Sequence, residues 1–350
     1  MKFITKMPLY MIIMGLIFIC NVQLFSQLTD IFDHPEYLAV KKTPYSNMVK
    51  ASFIDDKDHI YVGIWGKGIY KSTDKGATWQ QKNSGLTNLF ITDIKVCRSG
   101  NIIISTYGGG VFQTADRGNK WLPSSTGFSH LNVKALTVHP NGFVFAGTIG
   151  GGMYMSKDDG FNWTPTNKGF LYRNVTSLAV SNAGYVIAAT YGGGMYASRD
   201  TGKTWLEQNS GLKTLFVNYV MKNKAGVLLA ATNGRGIYES PNDGLTWAEL
   251  DTFMIRPYTD LKTPLPDLNA TRITMNKNFK TVFGTRYGGC FYFDDVEDFT
   301  WVSTNVRGTG INNLLTHKDG SMFAFANEKQ PQYTETTGET WDDKPFILEP

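Results

Sequence analysis

The sequence predicts an all-β chain: a single seven-bladed β-propeller of four-stranded antiparallel blades. Three observations carry this prediction. Trp79, Trp121, Trp163, Trp205 and Trp247 follow one another at a fixed interval of 42 residues, and Trp301 and Trp341 continue the series with looser spacing. A fixed period in this range marks a chain built from one stacked supersecondary unit. Aligned on tryptophan, each unit holds an apolar run, a turn, a second apolar run, a glycine loop, a short third run, a polar tight turn and a last run opening with Trp. Four short strands per unit make a propeller blade, and the 36 glycines suit its many tight turns.

Taken in order, residues 1–26 read as a signal peptide. Lys2 and Lys6 form a basic start, Leu9 to Cys20 an apolar core, and a polar exit ends at Ser26–Gln27. The apolar run is short for a bilayer span, and Ile19 is too large to precede a lipoprotein cysteine at Cys20. The chain is therefore expected to be exported, without membrane insertion after cleavage. Residues 27–45 form an N-terminal extension, expected across the edge between the first and last blades. Residues 46–350 form the propeller, with blades from about Ser46 to Lys344 and the last strand near Thr340 to Lys344. One closed ring fits the length as one domain and is expected as a monomer.

Charge excludes a class of partner. The chain carries 34 basic and 30 acidic side chains, and two of the basic ones lie in the leader. That near balance does not point to nucleic acid. Cys97 and Cys290 sit four repeats apart, which argues against a disulfide. No Cys/His cluster has metal-ligand spacing, so neither a metal nor another cofactor is expected.

Connectivity sorts the loops. If the first strand of a blade runs from top to bottom, the glycine loops and the inter-blade crossovers share the top face, and the polar turns before Trp share the bottom. The repeats diverge on the top. Before the glycines stand Trp65, Tyr107, Ile149, Tyr191, Asn233 and Tyr287; Lys67 and Arg235 replace a middle glycine, and Arg286 flanks Cys290. The crossovers add Phe90, His130, Tyr172, Arg173 and Phe216, and an insertion around Phe253 to Ala270 carries Arg256, Tyr258, Asp260 and Asp267. Aromatic rings interleaved with Arg and Lys suit a sugar or a peptide. Trp65, Lys67, Tyr107, Tyr172, Arg173, Tyr191, Asn233, Arg235, Arg286 and Tyr287 are the candidate ligand contacts. Trp65, Tyr107, Tyr191 and Tyr287, beside glycines, are expected to be exposed, and Phe90 and Phe216 to wedge neighbouring blades. His130 stands by itself on the top face, and His139 precedes Pro140 in a bottom turn.

The turn before each Trp resembles the Asp-box, or BNR repeat, of pattern S/T-x-D-x-G-x-T-W. Ser72, Asp74, Gly76, Thr78 and Trp79 match it fully, as do Ser198, Asp200, Gly202, Thr204 and Trp205. Asp116 and Asp158 head copies with Lys120 and Asn162 in place of Thr, Asn242 replaces Asp in blade five, blade six has Val296 there, and blade seven has no Asp. These residues are expected to be structural. The chain resembles the Asp-box propellers, which include sialidases, xyloglucanases, sortilin-type receptors and photosystem II assembly-factor propellers. The assembly-factor and sensor-type members, similar in blade count and length, imply a non-catalytic scaffold that holds a glycan or a protein partner on its top face. The enzymatic members imply a glycoside hydrolase as the alternative. That chemistry needs two carboxyl groups flanking the bond, for which Asp93, Asp260 and Asp267 are the candidates. The sialidases have six blades and an R-I-P signature, and the xyloglucanases have two facing propellers; this sequence has neither pattern.

Overall fold

The structure is a computed structural model that describes residues 48–250, 253–255, 262–265, 267–276, 278, 280–294, 300–327, 330–335, 338, 340–344 and 347–348. The leader, the extension 27–45, Arg256, Tyr258, Asp260 and Val296 lie outside the described residues.

The first blade is β1 (Val49–Ile54), β2 (Ile60–Ile64), β3 (Gly68–Ser72) and β4 (Thr78–Gln81), paired antiparallel in sequence order. Six further blades repeat this order, starting at Ile91, Val133, Val175, Val217, Ala270 and Ile311. The last ends with Asp342–Asp343, inside the span expected for its fourth strand. Second strands read as mostly apolar runs, such as IIIST and VIAAT, and are buried at every residue except Thr281 of blade six. Such a strand lies between two other sheets, so neither face can be polar.

The core lies between blades rather than within one. Ile187, Ala189 and Met195 of blade four pack on Val220, Ala230, Tyr238 and Trp247 of blade five. Val49, Val62, Tyr70 and Trp79 of blade one pack on Phe323 and Phe325 of blade seven, which closes the ring. Trp79, Trp121, Trp163, Trp205, Trp247 and Trp341 each belong to the interface with the preceding blade. Trp121, Trp163, Trp205 and Trp247 donate their indole N–H to Lys82, Ser124, Thr166 and Gln208 carbonyls of that blade, at 2.8–3.0 Å. The strand Ile347–Leu348 then pairs parallel with β4, adding a fifth strand to blade one.

The polar turns before Trp are self-contained. Asp200 accepts hydrogen bonds from Ser198 Oγ (2.9 Å), Thr204 N (2.8 Å) and Thr204 Oγ1 (2.6 Å). Thr201 and Gly202 follow with φ of 56° and 85°. Two consecutive positive φ values form a tight reverse turn at whose second position glycine carries no Cβ penalty. Burial raises the Asp200 carboxyl, but the bonds from Thr204 and Ser198 outweigh it and hold it below the usual carboxylate range. Asn242 reproduces the pattern as a neutral amide, with bonds from Ser240 Oγ (2.9 Å) and Thr246 N (3.0 Å) and one to Thr246 Oγ1 (2.8 Å). The turn therefore needs an acceptor there rather than a charge. Asp200→Ala is expected to cost ~1–3 kcal/mol, and Asp200→Asn much less, by urea denaturation followed by circular dichroism. Because the folded-state pKa is depressed, the contribution of Asp200 is present above the unfolded carboxyl pKa and fades as pH falls through the folded value.

Blade six carries the insertion. Phe253–Ile255 pairs antiparallel with Lys262–Pro264 and parallel with Thr300–Arg307, so these segments extend the outer edge of that blade.

Candidate functional site

The backbone confirms which loops share a face. In each blade the residue after the second strand bonds to the residue before the first: Trp65 N to Met48 O, Tyr107 N to Phe90 O, Tyr191 N to Asn174 O and Arg286 N to Asn269 O. The glycine loops meet the crossovers there, as in Gly110 N to Leu131 O and Gly194 N to Leu215 O. The opposite face carries the aspartate turns, where Asp159 Oδ2 accepts from Ser99 N and Arg117 pairs with Asp55 and Asp56.

The glycine loops are pinned from inside. Thr106, Thr148, Thr190, Thr232 and Thr285 end the second strands and donate Oγ1 to the carbonyl of the loop's last glycine at 2.8–3.2 Å. The middle glycines make room for a crossover. A Cβ on Gly193 would stand 2.4 Å from Tyr172 Cγ, and one on Gly151 2.7 Å from His130 Cβ. These glycines thus seat crossover side chains, rather than letting the adjacent rings stand clear. In blade five the matching crossover residue is the smaller Thr214, and Arg235 occupies the glycine position with its side chain exposed.

The exposures of the aromatics differ from those expected. Trp65, Tyr107 and Tyr191 are half-buried, and only Tyr287 of the four tyrosine and tryptophan candidates beside glycines is largely exposed, at 62%. Phe90 and Phe216, expected as wedges, are 40% and 41% exposed. Phe90 lies edge-on to Trp65 (5.1 Å), which touches Tyr107 (5.7 Å), and Phe216 lies edge-on to Tyr191 (4.9 Å). Tyr191 Oη also accepts from Asn233 Nδ2 at 3.2 Å. Half-buried rings hold neighbouring loops together, and exposed ones lie over them. Around Phe90 and Phe216 the crossovers expose Leu131, Leu171, Tyr172 and Leu215, at 40–73%. No residue pattern marks these leucines as exposed, since core leucines look the same in the sequence.

The charged candidates spread out. Arg286 stacks over the Tyr287 ring at 5.4 Å, Arg173 is exposed with Nη1 3.4 Å from Gly151 O, and Lys67 is half-buried in the first loop. Asp267 is buried and accepts from Asn269 N and Tyr287 N at 2.8 and 2.7 Å, so it braces the blade-six loop. Asp93 lies not on the outer top surface but in the central channel, because it sits on the innermost strand of blade two. Its carboxylate accepts from Lys95 Nζ (2.5 Å), Ile94 N (2.8 Å) and Leu136 N (2.9 Å). Among the described residues Asp93 is the one carboxylate that lines this channel, so no pair of acids faces across it. His130 Nδ1 lies 3.1 Å from Ser129 Oγ, and His139 Nε2 lies 2.8 Å from Gly184 O of the next blade.

The channel is a cavity of about 270 Å³ bounded by the first strand of every blade. Lys50, Lys95, Lys134 and Arg272 line it together with Asp93. The lysines are not among the residues singled out from the sequence. Burial, with Lys134, Arg272 and Arg286 nearby, pushes the Lys50 ammonium down to about 7. Burial and Arg272 push Lys134 down to about 8, although Asp93 works against them.

No protein-family model matches the chain, and no curated protein matches it significantly. Solved structures match the fold. The extracellular domain of BT4673 from B. thetaiotaomicron superposes with a TM-score of 0.64 at 14% identity, over 89% of this chain and 42% of that one. An ancestral GH74 enzyme gives 0.62 at 16% identity, over 86% and 46%. YCF48 bound to D1 peptide gives 0.61 at 15% identity, over 81% and 92%. The chain thus spans less than half of the first two. At such identities the likeness shows the seven-bladed propeller fold and nothing about activity.

Proposed function

We propose that this chain is an exported Asp-box propeller that holds a partner on its glycine-loop face and performs no chemistry there. The observation that supports this most is the row of exposed apolar side chains on successive crossovers: Phe90, Leu131, Leu171, Tyr172, Leu215 and Phe216. Exposed leucines and aromatics gathered on one face mark an interaction surface. Leucine has no hydrogen-bonding group for a sugar and no flat face to stack on one, so the row favours a protein segment over a glycan. Arg173, Arg235 and Arg286 stand among these loops and would add charge pairs at the rim, which set orientation and on-rate more than affinity. The engagement of Asp93 and Asp267 with backbone N–H groups speaks against a hydrolytic pair. Export rests on the basic and apolar leader in residues 1–26. YCF48 with its D1 peptide is a propeller of similar length seen holding a peptide.

The test is a selection of phage-displayed peptides on the purified propeller, run beside a glycan array, with wild type and Leu171→Ser/Phe216→Ser. Peptides enriched on wild type and lost on the variant, at an unchanged melting temperature, are the expected result. Glycan signals lost on the same variant would keep the face and change the partner class. Enrichment equal on both proteins would overturn the assignment of the face.

A further inference from the structure

The inner strands share a device that three blades depart from: blades one and three, and blade seven, where Asn312 bonds instead to Asn327 Oδ1 and Lys50 Nζ. Each first strand carries a bulge at its second residue, as the register shifts at Val49/Ala51, Ile91/Asp93 and Val175/Ser177 show. In most blades that residue stitches its strand to the next. Thr92 Oγ1 donates to Val133 O (2.6 Å), Thr176 Oγ1 to Val217 O (2.6 Å), Asn218 Nδ2 to Ala270 O (2.8 Å) and Thr271 Oγ1 to Ile311 O (2.7 Å). In blades one and three the position holds Lys50 and Lys134, both lining the channel. A lysine there gives up the short stitch and brings a positive charge into a confined space, which costs stability unless something answers the charge. Lys50 Nζ donates to Asn312 Oδ1 at 2.9 Å, whereas the Lys134 ammonium makes no hydrogen bond with the described residues. Arg272, on the first strand of blade six, is held by bonds from Nη1 to Thr271 O (3.0 Å) and Nη2 to Lys50 O (3.3 Å), with its guanidinium over the Tyr219 ring. The acid of the channel, Asp93, is already bonded to Lys95. Positive charge therefore exceeds negative in a cavity large enough for a sugar-sized group.

We propose that the central channel is a binding site for a doubly charged tetrahedral oxyanion, a phosphate or sulfate ester, held by Lys50, Lys134 and Arg272. Two ammonium groups and a guanidinium can approach a tetrahedral dianion from different sides, and its second charge answers more of the site's cations than a monoanionic carboxylate can. The site is independent of partner docking on the crossovers and shares no residue with it.

Proton linkage supplies a signature. The channel lowers the proton affinity of Lys50 and Lys134, which face Arg272, Arg286, Lys95 and Asp93. A bound dianion raises both lysine pKa values, so binding takes up protons and weakens as pH climbs past 7–8. Inorganic sulfate is the cleanest probe, because it stays doubly charged across that range.

Titration calorimetry of the purified protein with sulfate at pH 6.5 and pH 9, in chloride-matched buffer, tests this. The expected result is a single channel site whose affinity falls roughly ten-fold or more at the higher pH, with acetate binding far more weakly. Lys134→Gln should lose roughly ten-fold or more in sulfate affinity, and Lys134→Arg should keep most of it; their melting temperatures show that both are folded. Glucose 6-phosphate and glucose 6-sulfate decide which ester is preferred, and tight binding of either supports the site. Equal sulfate affinity in wild type and Lys134→Gln, affinity independent of pH, or acetate binding as well as sulfate would overturn it.

Discussion

Trp205→Ala is expected to destabilise the propeller by ~3–5 kcal/mol, the cost of emptying a large buried site. Trp205 is fully buried, lies edge-on to Phe170 at 5.3 Å, and gives its indole N–H to Thr166 O at 2.8 Å across the blade boundary. Removing it opens a cavity between blades three and four and leaves a buried carbonyl without that donor. Trp205→Phe should recover most of the volume and none of the hydrogen bond, and so lose ~1–2 kcal/mol. Urea denaturation followed by far-ultraviolet circular dichroism measures both. A loss below about 1 kcal/mol for the alanine variant would mean that the blade boundary is not cemented by the tryptophan.

The second large effect is expected at Gly127. Its φ is +96°, and a Cβ there would stand 1.9 Å from the carbonyl oxygen of Trp163 in the next blade. Backbone cannot step aside as a flexible side chain would. Gly127→Ala therefore adds a left-handed strain to an overpacked contact, on the order of 3 kcal/mol or more together. Gly85, Gly169 and Gly211 make the same approach to Trp121, Trp205 and Trp247. Gly100 is the control: it has a similar φ of +91° but nothing within 4 Å of its Cβ position. Gly100→Ala should show the strain alone, and the difference in melting temperature between the two variants isolates the contact.

The tryptophan period carried most of the fold, because that residue recurs where one blade is sealed to the next. The sorting of loops into two faces was legible as well, since antiparallel strands of fixed order leave no freedom. The glycines at 85, 127, 169 and 211 share the 42-residue interval, yet their role shows only once the neighbouring blade is in place. The exposure of the aromatics was not legible. Tyr107 and Phe90 are both aromatic residues beside a loop, and the crossing of the crossover decides which lies above the other. Lys50 and Lys134 were hidden for another reason. In VKASFI and VKALTV an alternating pattern reads each lysine as solvent-facing, and a one-residue bulge turns it toward the channel.

The central claim is that partner contact occurs on the glycine-loop face while the aspartate-turn face is structural. The direct test is the dissociation constant of a selected ligand for two matched variants, each losing exposed apolar side chains from one face. Leu171→Ser/Phe216→Ser alters the glycine-loop face, and Phe161→Ser/Leu245→Ser removes residues 52% and 43% exposed in the aspartate turns. Residues of this kind at the centre of an interface cost ~1–2 kcal/mol or more each when truncated. The account predicts that the first variant weakens binding roughly ten-fold or more and that the second leaves it unchanged, with both proteins melting near wild type. Binding lost in the second variant and kept in the first would contradict it.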